Sequence, residues 1–153
     1  ILNLLYLVER GLLDIPVLFL SRYIIANKVG YYEGLRGVTE RQEWEPWVLF
    51  MLQAVESTAQ QTFDQVTRIR VLMEQVREQV QQQAPGIYSK DLIEVIFQHP
   101  YTKIQFLVDS SSAKRQTASS YLQTLAGLGI LRPSKQGREM YYINDALFAE
   151  LVK

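Results

Sequence analysis

The residues best suited to chemistry lie in a short basic segment in the C-terminal third of the chain. Its side chains combine two cations, an amide and several hydroxyls: Lys114, Arg115, Gln116, Thr117, Ser119 and Ser120. Arginine can bond guanine bidentately, glutamine can bond adenine, and hydroxyls can reach phosphates or bases. The segment therefore predicts a face that contacts nucleic acid, although such residues also occur on faces that are merely solvated.

A second basic group follows 20 residues later. Lys135 and Arg138 flank Gly137 in the segment 134–138, which lies between two strand-like stretches, 130–132 and 140–143. A glycine-containing turn between two such stretches predicts a β-hairpin with a basic tip. That tip could lie against a phosphate backbone or in a minor groove. From residue 110 to residue 138 the chain has five cations, including Arg132, and no acidic residue.

Three helices must position these residues. The apolar spacing and the stop at Pro100 predict helices over 89–97, about 102–108 and 112–125, followed by the hairpin and a short closing helix over 144–153. This order predicts a winged helix-turn-helix over residues 89–153, in which the second helix of the pair enters the major groove of DNA. Winged helices also serve as protein-docking modules, and the sequence leaves both roles open.

The preceding residues predict a second, helical domain. Apolar residues at helical spacing run from Trp44 to Val80, and Ala84-Pro85-Gly86 ends that helix. We therefore predict a mainly α chain with two domains, 1–84 and 85–153, and a small β-hairpin wing. Residues 16–36 also have a helical pattern, in which Gly30, Gly34 and Gly37 predict a break or a helix end nearby.

Composition narrows the function classes. The chain has no cysteine and a single histidine, His99, which we interpret as structural. Net charge is zero, but residues 1–88 hold eight Lys/Arg against ten Asp/Glu, and residues 89–153 hold eight against six. For the binding of a polyanion, a local basic face matters more than the net charge of the whole chain. Apolar runs are too short for a membrane span, so we expect a soluble, cytoplasmic protein.

The first ten residues are strongly apolar and predict a helix that ends at Gly11. They have no initiator methionine and no capping residue, as in a chain cut in mid-helix. Their apolar residues cannot all face one neighbour: Leu2, Leu4, Leu5, Leu7 and Val8. We therefore expect an exposed patch and a homo-oligomer, which light scattering can test.

Several segments of the chain, taken in order, resemble segments of Fic-family proteins. Residues 1–7, 11–24, 27–28, 31–32 and 44–50 are similar to the part of a Fic domain that follows its active-site motif. Residues 87–93 and 115–122 are similar to the winged helix appended in one bacterial Fic subgroup. The resemblance covers nearly the whole chain.

This resemblance implies a parent protein that transfers AMP from ATP, with Mg²⁺, to a hydroxyl of an unknown target protein. The family's motif, His-Pro-Phe-x-x-Gly-Asn-Gly-Arg, is absent from the 153 residues and is expected just upstream of Ile1. Tyr31 and Tyr32 match a tyrosine pair that lines the family's nucleotide pocket, and packing between helices is an equal interpretation. Two alternatives remain: a stand-alone winged-helix regulator whose N-terminal helices dimerise, and a pure protein-interaction module.

We predict that this chain alone transfers no AMP and needs no cofactor of its own. The base that deprotonates the acceptor hydroxyl and the glycine-rich anion cradle both lie outside it. Incubation with labelled ATP and a cell lysate measures the transfer. Labelling at the rate of an intact family member would refute the fragment interpretation.

Overall fold

The computed structural model describes residues 2–14, 19–110 and 113–152. The chain divides into two compact units, 1–66 and 67–153. One long helix, α4 (Trp44–Gln83), contributes its first half to unit 1 and its second half to unit 2. The predicted domain boundary between residues 84 and 85 stays a prediction, while the units divide 18 residues earlier, inside α4. No helix in the described part of the chain is long and apolar enough to span a membrane.

Unit 1 consists of helices. They are α1 (Leu2–Glu9), α2 (Ser21–Ala26), α3 (Lys28–Arg41) and the first half of α4. Helix α1 ends as predicted, because the N–H groups of Gly11 and Leu12 donate to the carbonyls of Val8 and Leu7 at 3.0 and 2.9 Å. Residues 15–18, where the second helical pattern was predicted to begin, lie outside the described residues.

Aromatic packing holds α3 against α4. The Tyr31 ring lies 5.3 Å from Trp47 and 6.3 Å from Phe50, centroid to centroid. A Cβ at Gly34 would lie only 2.8 Å from Trp47 Cε3. Helix α3 continues through the three glycines, while the break at Asn27 and the helix end at Arg41 fall close to them, as predicted. At Gly30 and Gly34 the missing side chains let the rings of Phe50 and Trp47 approach.

The described residues of unit 2 form the second half of α4, a short 3-10 helix (Pro85–Ile87), four further α-helices and one sheet. The helices are α5 (Lys90–Gln98), α6 (Ile104–Asp109), α7 (Arg115–Gly127) and α8 (Asp145–Val152). The strands are β1 (Tyr101–Thr102), β2 (Arg132–Gln136) and β3 (Glu139–Ile143). They form an antiparallel sheet in the order β1-β3-β2. The predicted fold class, mainly α with a small β wing, is confirmed.

The core of unit 2 draws on every helix from α4 to α7 and on the hairpin. Its buried apolar side chains are Val76, Val80, Leu92, Ile93, Val95, Ile96, Leu107, Ala118, Leu122, Leu125, Leu131 and Tyr142. Helix α5 starts as predicted, since Ser89 Oγ accepts from the N–H of Leu92 at 3.1 Å. Burial of one face of each helix against this core is the main stabilising term.

Two predicted element boundaries are wrong in unit 2. Thr102, predicted as the start of a helix, belongs to strand β1, because β1 pairs with β3 about 40 residues later along the chain. The predicted start of the next helix, residue 112, lies outside the described residues, and α7 begins at Arg115. The hairpin strands extend to Gln136 and from Glu139, so its turn contains only Gly137 and Arg138.

Buried Asn144 connects α8 to the rest of unit 2. Its side-chain oxygen accepts from the N–H of Leu147 at 3.0 Å, and its amide nitrogen donates to the carbonyl of Ile96 at 3.3 Å. Thr102 is equally buried, but among the described residues none hydrogen-bonds its hydroxyl. A buried polar group with partners stabilises a fold, whereas one without a partner costs free energy.

We predict opposite outcomes at these two positions. Asn144→Ala removes a cap and leaves a carbonyl unpaired, so it should lower the free energy of unfolding by about 2–3 kcal/mol. Thr102→Val keeps the shape and removes the unpaired hydroxyl, so it should leave stability unchanged or raise it. Urea denaturation followed by circular dichroism measures both. Equal losses for the two variants would contradict this account of the hydrogen bonds.

Candidate nucleic-acid interface

The predicted contact residues open helix α7. Lys114 occupies the N-cap position in an extended conformation (φ −67°, ψ 155°), and α7 begins at the next residue. Five of the six side chains are exposed and one is half-buried; the exposed ones are Lys114, Arg115, Gln116, Thr117 and Ser120, and the half-buried one is Ser119. The opposite face is fixed by the core through Ala118, Leu122 and Leu125, which are fully buried. The first turn is therefore presented outward.

The charge of this first turn suits an anion. Helix α7 has no acidic residue in its first turn, and the side chain of its N-cap residue Lys114 makes no capping hydrogen bond. The N-terminal N–H groups and the helix dipole favour negative charge, and Lys114 and Arg115 add two cations at the same end. Among the described residues, no carboxylate pairs with either cation. A phosphate would meet backbone donors and side-chain cations together.

The hairpin places Lys135 and Arg138 near its tip. Lys135 lies in β2 opposite Met140, and Arg138 follows Gly137 in the two-residue turn. Gly137 has φ +62°, as the first position of a type II′ turn requires. Both cations are exposed. Lys135 was expected in the loop, but it belongs to strand β2. The strand geometry therefore determines on which face of the hairpin its side chain lies.

Arg132 does not join this basic group. It donates from Nε and Nη2 to the Asp145 carboxylate at 2.6 and 2.7 Å. These hydrogen bonds hold the pKa of Asp145 below its usual value and raise that of Arg132. The sequence places Arg132 in an acid-free segment, but folding brings residue 145 beside it. The free cations of the predicted surface therefore number four rather than five among the described residues.

An aromatic cluster on the same unit was not predicted. The rings of His99 and Phe106 lie 6.1 and 5.9 Å from Tyr101, and Tyr101 lies 5.7 Å from Tyr141. His99 is exposed and contacts the rings of Tyr101 and Phe106, and its structural interpretation stays a prediction. The aromatic residues of His99-Pro100-Tyr101 were the one sign of this cluster in the sequence. The partner of Tyr101 on β3, Tyr141, is about 40 residues away along the chain.

Lys103 links this cluster to β3. Its Nζ lies 4.5 Å from the Tyr141 ring centroid and donates to Glu139 Oε2 at 2.5 Å. Tyr141 donates its hydroxyl to the same oxygen at 2.9 Å. Two hydrogen bonds hold the pKa of Glu139 below its usual value, the larger effect coming from Lys103 and the smaller from Tyr141. The Glu139 carboxylate in turn raises the pKa of Lys103. The charge of Lys103 is therefore neutralised by Glu139, as that of Arg132 is by Asp145.

Tyr31 and Tyr32 lie on α3 in unit 1. Tyr31 is half-buried among Trp47 and Phe50, whereas Tyr32 is 66% exposed. A concavity of about 560 Å³ is lined by residues of α2, α3 and α4, including Tyr23 and Lys28, and by Asn27 between α2 and α3, but by neither tyrosine of the pair. The packing interpretation accounts for Tyr31. Nucleotide binding by the pair stays a prediction.

Residues 72–147 match the family model described as "Protein adenylyltransferase SoFic-like, C-terminal domain". Residues 72–147 of this chain are therefore similar to the C-terminal domain of the SoFic-like family. The resemblance to the Fic family is thereby confirmed. The matched range begins inside α4 and includes Val76 and Val80, so the SoFic-like C-terminal domain contains the helix end that fills the core of unit 2. It also contains α7 and the hairpin. Tyr31 and Tyr32 lie outside it.

We predict a stability difference between the two tyrosines. Tyr31→Ala removes a half-buried ring from the α3–α4 contact and should lower the free energy of unfolding by about 2 kcal/mol. Tyr32→Ala should change it by less than about 0.5 kcal/mol, because its ring is mostly exposed. Thermal melting of the two variants and the unaltered chain measures the difference. A larger effect at Tyr32 would contradict the packing interpretation.

Proposed function

We propose that unit 2 is a winged helix-turn-helix module that binds duplex DNA and belongs to a Fic-type protein adenylyltransferase. The observation that carries the proposal is the exposed, acid-free first turn of α7, with Lys114 and Arg115 beside a hydrogen-bonding Gln116. The order of helices and the strand order β1-β3-β2 support it, since a hairpin follows the helix pair directly along the chain.

Helix α7 has the anatomy of a recognition helix. Its 13 residues give it more than three turns, and its buried face packs into the same core as Leu107 of α6. Base-edge contacts of such helices come from their early residues, where Arg115 and Gln116 lie. Arg115 would take the bidentate contact with guanine, and Gln116 the contact with adenine. Thr117, Ser119 and Ser120 would supply contacts to phosphates.

The charge count implies modest, salt-dependent affinity. On the described part of α7 and the hairpin, four exposed cations have no carboxylate partner: Lys114, Arg115, Lys135 and Arg138. Each neutralised phosphate adds about −0.9 to the slope of log K against log salt, so the slope should be no steeper than about −3.6. A single module of this charge binds non-specific DNA weakly. Two modules in a homo-oligomer would bind more tightly.

The oligomer and the enzymatic context belong to the same proposal. Leu5 and Tyr6 are 57% and 53% exposed on α1, and an apolar surface of this kind favours association of two copies. The AMP transfer, with ATP and Mg²⁺, would be performed by the catalytic motif of the intact protein, since that motif is absent from these 153 residues. We place such a protein in the cytoplasm.

A protein-docking role is the second candidate. It is favoured by the aromatic cluster around Tyr101, which is 40% exposed beside His99. Tyrosine is enriched where proteins bind proteins. The module could therefore act as a regulatory element of the enzyme without contacting nucleic acid.

We predict that two classes of variant distinguish base contacts from phosphate contacts. Arg115→Ala should weaken a preferred site by roughly 1–3 kcal/mol and relax its sequence preference. Lys135→Ala or Arg138→Ala should weaken binding to all sequences and make the salt slope shallower by about one unit each. The measurement is fluorescence anisotropy with random and selected duplexes at several salt concentrations.

Lys90→Ala is the matched control, because this exposed lysine belongs to α5 and pairs with Glu94. It should leave both the affinity and the slope unchanged. Absence of salt-dependent binding near 50 mM salt would refute DNA binding and leave protein docking as the function of unit 2.

A further inference from the structure

The sheet of unit 2 has two faces that differ in charge. Successive residues of a strand point to opposite faces, and the buried side chain of Tyr142 marks the face toward the core. Lys135 and Met140, paired across β2 and β3, share the core-side face near the tip. The opposite face, called the outer face below, contains these residues of the three strands: Tyr101, Arg132, Ser134, Gln136, Glu139, Tyr141 and Ile143.

Each cation of the outer face is paired with a carboxylate distant in sequence. Arg132 makes its two hydrogen bonds to Asp145, and Lys103, which lies over the Tyr141 ring, donates to Glu139. On the described part of this face, the charges thus cancel. By contrast, within residues 2–14, 19–110 and 113–152 no carboxylate pairs with Lys135, Arg138 or the two cations of α7.

Both pairs lie at the surface of unit 2. The side chains of Arg132 and Asp145 are 56% and 54% exposed, that of Glu139 is 59% exposed, and that of its partner Lys103 is 27% exposed. Ion pairs between exposed groups add little net stability, because water and salt screen them. Their main physical consequence is therefore electrostatic: they remove two positive charges from one face.

We infer that Glu139 and Asp145 are specificity-determining residues that keep polyanions off the outer face and restrict DNA to α7 and the core-side of the hairpin. This inference rests on the proposed function. An extra pair of free cations would attract phosphates without regard to sequence, since phosphate contacts carry no base information. Specific binders often gain their selectivity by suppressing such competing modes.

The test uses the full chain with Glu139→Gln, Asp145→Asn and both together. Each variant frees one cation, so the slope of log K against log salt for a random 20-base-pair duplex should steepen by about 0.9 per change. Affinity for this random duplex at 50 mM salt should rise several-fold. Glu94→Gln is the matched control, because it also removes one exposed carboxylate from a lysine pair in unit 2 but lies on α5. Its slope should stay at the value of the unaltered chain.

Unchanged slopes in the variants would overturn the inference while leaving the proposed DNA binding intact. An equal steepening with Glu94→Gln would overturn it as well, since only net charge would then matter. If the unaltered chain binds no duplex, the proposed function fails, and elution from heparin decides the inference separately: the double variant must elute at higher salt than Glu94→Gln. Circular dichroism checks that each variant is folded. Asp145 belongs to α8 and Glu139 does not, so Glu139→Gln tests the inference even if Asp145→Asn disturbs that helix.

Discussion

The interaction on which unit 2 depends is the insertion of the end of α4 into its core. Val76 and Val80 are buried together with residues of α5, α6 and α7, so the last turns of this helix are part of the module. Gln79, between them, donates to the carbonyl of Leu128 at 3.1 Å, just beyond the last residue of α7. Helix α4 thus fills the core and also satisfies an acceptor at the C-terminal end of α7, where helices leave carbonyls unpaired.

This anchoring explains why α7 can present a polar, basic first turn. Its C-terminal half and its buried face are fixed by contacts within unit 2, so the first turn needs no stabilising carboxylate of its own. The absence of an acidic residue near Lys114 and Arg115 is unfavourable for an isolated helix, because it leaves cations at the positive end of the dipole. Packing elsewhere offsets that cost. On the sheet, by contrast, Asp145 and Glu139 neutralise Arg132 and Lys103, so the two faces differ in charge.

Sequence reasoning succeeded where the signal is local. The cap at Ser89, the end of α4 before Pro85 and the glycine of the hairpin turn each follow from a few neighbouring residues. It failed where contacts join distant residues, as with the pairing of β1 with β3 and the bond from Arg132 to Asp145. Helix propensity could not show why α3 continues through Gly34, because it does not include the close approach of an aromatic ring such as Trp47. Sequence spacing alone did not decide which residues contact a partner.

The central claim is that DNA contacts the first turn of α7 and the hairpin tip rather than the outer face. Backbone NMR shifts of the full chain, followed while a short duplex is added, test it most directly. The account predicts that the largest changes fall on residues 114–120 and 135–138, with those of Tyr101, Lys103 and Tyr141 nearly unchanged. Changes concentrated at the aromatic cluster, or none at α7, would contradict it.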